Sequence, residues 1–217
     1  MAATSTAPPA PSHTQRQLKP ALWTAIAAMM LFVIFYSEIP IFRREDEHAL
    51  FRQMGWLLVP HILAGATAFL LGPVQFSTRL RTRRPRLHRL LGRTYVYSVL
   101  VAAVCALALA FTRHPPQEIY FHTMMLVQAG AWIITTGAAL LTARNRQFQQ
   151  HREWMFRSYA ITLTFIATRL PQPIHAWTRM SRAELAIAVI IITFGAILLA
   201  DLAVNWHALT TRRACEN

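Results

Sequence analysis

Apolar residues gather into six long runs along the chain, at about 21–42, 56–77, 94–112, 119–142, 154–171 and 184–206, separated by short polar stretches. Each run is close to the roughly 20 residues that an α-helix needs to cross the hydrocarbon core of a bilayer. The fifth is the weakest. The stretch "FQQHREWMFRSYAITLTFIATR" brings His151 and Arg152 to its start, carries Arg157 in its first turns and ends on Arg169. The pattern predicts an all-α fold, a polytopic membrane helical bundle with six transmembrane helices, in which short loops make neighbouring spans antiparallel. Residues 1–20, rich in Ala, Pro, Ser and Thr, are expected to form a disordered cytoplasmic tail rather than a signal peptide. The six-helix domain then covers 21–207, with a His-bearing four-helix core at about 56–171, and 208–217 form a cytoplasmic tail.

Composition agrees, since 54% of the 217 residues are hydrophobic and only 14% charged. A formal net charge of +13 raises the question of nucleic acid, but the basic residues are nearly all Arg, with Lys19 the single lysine, and they cluster beside the apolar runs. That is the retention signal of cytoplasmic loops, so nucleic-acid binding is rejected. A six-span topology puts fifteen Arg and Lys on the side of the two termini, seven of them in "RLRTRRPRLHRLLGR", against seven on the other side. Both termini are therefore expected to be cytoplasmic. Cys105 lies within an apolar run and Cys215 in the polar tail, too few and too far apart for a disulfide framework. No paired-carboxylate, nucleophile-elbow, phosphate-loop or HExxH pattern supports a hydrolase.

The candidate chemistry lies in four of the nine histidines. His61, His88, His122 and His151 each stand at or near the N-terminal end of one of four consecutive spans. Antiparallel spans alternate that position between the two faces, so His61 and His122 fall near the outer face and His88 and His151 near the inner one. The helix dipole disfavours a cation at an N-terminus, which tends to keep these imidazoles neutral and able to ligate a metal, as in axial ligation of haem iron. At about 100° per residue, His61 shares a face with Gly65, Ala68, Gly72 and Gln75, although small residues line membrane helix interfaces with or without a cofactor.

The segments "HILAGATAFLLGPVQF", "HRLLGRTYVY" and "HREWMFRSYA", followed by Thr168 and Arg169, resemble the DUF2306 family of multipass membrane proteins over about residues 56–171. That resemblance points to an integral protein of a bacterial inner (plasma) membrane but brings no activity with it. One histidine on each of spans two to five is similar to the arrangement in cytochrome b561. It implies two haem b groups, an outer one on His61 and His122 and an inner one on His88 and His151. The implied activity is transmembrane electron transfer from a quinol or cytoplasmic reductant to an outer acceptor, which would make the protein a membrane oxidoreductase. The donor-binding residues of that family find no counterpart here.

Haem propionates at membrane depth call for cationic partners. Arg169 lies on the His151 stripe near the outer haem, whereas Arg89, Arg93, Arg152 and Arg157 stand near the inner one. Glu38 and Asp201 have the depths needed to neutralise Arg169 and Arg157 respectively. The competing reading is a non-haem multipass protein, an assembly factor, transporter or sensor, whose histidines bind a metal ion or only pack, with His175 joining the outer group.

Overall fold

The computed structural model describes residues 24, 27–33, 35–36, 45–113 and 118–210, with the backbone alone at 45–51, 113 and 207–210. The chain divides into two units, residues 1–44 and 45–217. In the first, residues 27–33 are helical and the rings of Phe32 and Tyr36, one turn apart, stack at 5.3 Å. Most of the first expected span, Glu38, the N-terminal tail and residues 211–217 with Cys215 lie outside the described residues, and α7 carries its helix to Thr210, inside the tail expected at 208–217.

The second unit is a run of helices: α1 (Glu45–Gln75), α2 (Thr78–Arg83), α3 (Pro85–Arg113), α4 (Ile119–Arg144), α5 (Phe148–Arg169), α6 (His175–Thr178) and α7 (Arg182–Thr210). No strand occurs among the described residues. Four segments are long and apolar enough to cross a membrane by length and composition, at Arg52–Gln75, Pro85–Thr112, Ile119–Arg144 and Arg182–Trp206. The fifth expected span, α5, is a continuous helix of 22 residues, about 33 Å long. Its three arginines and its Ser and Thr residues keep it out of that apolar class.

What α5 lacks in apolarity it gains in shielding. It packs on α1, α4 and α7, while α3 packs on α1 and α4, so α1, α3, α4 and α5 close a four-membered ring with α7 against the α4–α5 side. Met155, Ser158, Tyr159, Ile161, Thr162, Thr164 and Ile166 of α5 are buried. Ser158, Thr162 and Thr164 thus face the bundle interior, where hydroxyl groups find partners.

Three local features hold the ring together. The first is a latch between α1 and α5. Pro73 has no N–H to give to the carbonyl of Phe69 four residues back, and the Tyr159 hydroxyl donates to that carbonyl at 3.3 Å. Gly72 makes the approach possible, because a β-carbon there would stand 2.1 Å from Cδ2 of Tyr159. The second is a knot of buried polar groups at the centre. The Tyr95 hydroxyl is bonded to Ser158 at 2.8 Å and to Thr162 at 3.1 Å, Thr136 meets Ser158 at 2.7 Å, and the Trp132 indole donates to Thr162 at 3.1 Å.

The third is the reversal between α4 and α5. The N–H of Arg146 reaches the carbonyl of Ala143 and that of Gln147 the carbonyl of Thr142, with Arg146 at φ 60, which is the Schellman arrangement. The turn folds α5 back along α4 so that residue 151 stands opposite residue 139. Elsewhere, Ser181 and Glu184 cap α7 reciprocally, with Ser181 N donating to Glu184 Oε2 at 2.8 Å and Glu184 N to Ser181 Oγ at 3.3 Å. Arg182 pairs with Glu118 between the starts of α7 and α4.

Candidate functional site

Three of the four candidate histidines have a ring nitrogen on a backbone carbonyl of a neighbouring helix. His61 Nδ1 lies 2.8 Å from the carbonyl of Ala102, His122 Nε2 lies 3.3 Å from that of Ala110, and His151 Nδ1 lies 2.8 Å from that of Ala139. The last two follow one rule. Each histidine is the fourth residue of its helix and meets a carbonyl twelve positions earlier, on the preceding antiparallel helix. A carbonyl on one ring nitrogen fixes the orientation of an imidazole and leaves the other nitrogen as its ligating atom.

At one end of the bundle stand His88, in the first turns of α3, and His151, in the first turns of α5. These helices occupy opposite corners of the ring. The Nδ1 of His88 is buried without a hydrogen-bond partner, as is the Nε2 of Gln75 at the last residue of α1. Gln75 is 7% exposed, and its Oε1 lies 3.3 Å from the place a β-carbon on Gly92 would take, one turn along α3 from His88.

At the other end the two histidines stay apart. Both rest on α3, but on carbonyls eight residues apart, which is about 12 Å along a helix. His122 is buried, and its ring stacks on Phe111 at 4.8 Å with the planes 2° apart. His175 stands exposed at the start of α6.

The arginines divide in the same way. Arg157 donates to Asp201 Oδ1 of α7 at 2.6 Å and lies over the Trp154 ring at 4.5 Å, so the pairing expected from depth is made. Arg89, Arg93 and Arg152 are exposed near the His88–His151 end. Arg169 lies over the Phe165 ring of its own helix at 3.6 Å. Tyr95, Trp132 and Tyr159 are bonded into the centre of the ring.

Two groups escaped the sequence reading as site residues. Gln75 entered it only as a member of the His61 stripe, though a Gln closing a stripe of small residues at the end of an apolar run was a visible signal. The Ser158–Thr162 pair, one turn apart on the His151 stripe, was the corresponding signal for the central knot.

Residues 58–207, more than half of the chain, match the model of a family described as predicted membrane protein (DUF2306). No curated protein and no solved structure matches the chain.

Proposed function

The chain belongs to the DUF2306 family of predicted membrane proteins, and from that premise we propose that it passes electrons across a membrane on b-type haem held between its histidine-bearing helices. The observation that carries this reading is the His88–His151 end. Two imidazoles from opposite corners of a four-helix ring stand in the first turns of their helices at that end, one anchored through Nδ1 and the other with a buried nitrogen that has no partner. Two neutral histidines from facing helices are what a b-type haem iron takes from a bundle, whereas a structural zinc takes four ligands. Among the described residues no group of three or more His, Cys, Asp or Glu is gathered for such an ion.

On this reading His88 and His151 hold the iron, and Arg89, Arg93 and Arg152 stand at the same end to receive propionates. Haem, when bound, supplies one-electron chemistry, and the protein sets its potential through ligand orientation and burial. The arginine excess supports a cytoplasmic position for this end, with a quinol or a cytoplasmic reductant as the donor, in what we take to be a bacterial inner membrane with lipid around the ring.

His61 and His122 fit a second haem less well. The carbonyls on which these two rings rest are eight residues apart on α3, and the stack of His122 on Phe111 favours a packing role as the second reading for that pair. The test is the dithionite-reduced minus oxidised absorption spectrum of protein purified from cells supplied with haem. A b-type α band is expected. Its absence would overturn the proposal.

A further inference from the structure

Between Glu47 and Glu118 the chain holds no Asp or Glu, yet residues 79–93 carry seven arginines, all of them exposed. The electron-transfer reading gives Arg89 and Arg93 a use, which leaves Arg79, Arg81, Arg83, Arg84 and Arg86. Among the described residues none of these five is in an ion pair. They do not belong to a loose tail. α2 starts three residues after α1 ends, is capped by the Ser77 hydroxyl, which accepts from the N–H of Leu80 at 3.3 Å, and packs on α3 and α1. Arg79 and Arg83, four residues apart, lie on one face of α2, where like charges repel unless an anion comes between them.

The surface beside these arginines is apolar. At about 100° per residue, Arg86 shares a face of α3 with Leu90, Tyr97, Val101 and Val104, and all four are exposed. Such a face belongs against acyl chains, and Arg86, about 6 Å beyond Leu90 along the axis, then stands at the level of the headgroups. We infer that α2 and the first turn of α3 form a binding site for a phospholipid of net negative charge, its phosphate among the arginines of residues 79–86 and an acyl chain along Leu90, Tyr97 and Val101. A guanidinium meets phosphate through paired, charge-assisted hydrogen bonds. A zwitterionic headgroup also brings an ammonium, which the same arginines repel. A second copy of this chain related by a two-fold axis would set its own arginines against these. Arg93 shares the face of Arg86 and can serve either anion.

This inference stands apart from the electron-transfer reading, because none of the five arginines is assigned to haem. Native mass spectrometry of the full-length protein in detergent, titrated with phosphatidylglycerol or with phosphatidylcholine, tests it. An arginine near the membrane surface contributes about a fivefold gain toward anionic lipid, so phosphatidylglycerol is expected to bind about tenfold or more tightly than phosphatidylcholine. The triple variant Arg79→Gln, Arg83→Gln, Arg86→Gln is expected to lose most of that preference, and Arg179→Gln, beyond the far end of α5, to keep it. Should the triple variant fail to fold, Arg86→Gln alone is expected to lose about fivefold. Equal binding of the two lipids by the wild type, or an undiminished preference in the triple or the single variant, overturns the inference. So does a dimer that excludes phosphatidylglycerol. Glycerol 3-phosphate binding as tightly as phosphatidylglycerol would make the ligand a free phosphate ester and overturns the assignment to lipid.

Discussion

Tyr159→Phe removes one hydroxyl, and its cost measures the latch that joins α5 to α1. The carbonyl of Phe69 would normally accept from the N–H of residue 73, but that residue is Pro73, so the carbonyl depends on the Tyr159 hydroxyl at 3.3 Å. Phe69 is 5% exposed and Tyr159 7%, so water is a poor substitute. Leaving a buried acceptor unpaired costs about 1–3 kcal/mol, and the length of this bond argues for the lower half of that range, about 1–2 kcal/mol. In a Pro73→Ala background the new N–H can close the helical bond to Phe69, so Tyr159→Phe should then cost only a few tenths, a coupling of about 1 kcal/mol between residues 73 and 159. The assay is a double-mutant cycle by denaturant titration in detergent, followed by circular dichroism. Equal cost of Tyr159→Phe in both backgrounds would refute the reasoning.

Other perturbations test the same packing. Gly72→Ala places a β-carbon 2.1 Å from the Tyr159 ring and is expected to destabilise by about 1–3 kcal/mol or more in the same titration, an effect that Tyr159→Ala should largely relieve. Tyr95→Phe withdraws the hydroxyl that meets both Ser158 and Thr162 and should cost about 1–3 kcal/mol, read as a lowered unfolding midpoint. Arg157→Ala and Asp201→Ala should each destabilise, and the double variant should recover about 1 kcal/mol of the summed loss; strict additivity would remove the pair from the account.

The apolar runs located α1, α3, α4, α5 and α7, yet α1 begins at Glu45 and α3 at Pro85, well ahead of runs expected at 56 and 94. Apolarity marks what must face lipid, whereas a helix needs only its backbone bonds, so an Arg-rich lead such as Pro85–Arg93 is helical without being apolar. The Arg157–Asp201 pair followed from depth, because two charges at one level of a membrane bundle have few other partners.

Carbonyl partners were not legible. His61, His122 and His151 bond to Ala102, Ala110 and Ala139, and an alanine carries no side-chain signal of such a role. For the same reason the sequence does not show that His61 and His122 rest on carbonyls eight residues apart on α3. The unpaired atoms of Gln75 and His88 belong to this class as well, since only three-dimensional burial distinguishes them from solvated flanks.

The central claim is that His88 and His151 hold one haem between them, and the most direct measurement is haem content per chain by pyridine haemochrome in the purified variants His88→Ala, His151→Ala and, as an exposed control, His175→Ala. The account predicts that the first two lose the same haem while His175→Ala retains the wild-type content. Unchanged haem content in His88→Ala and His151→Ala would contradict it.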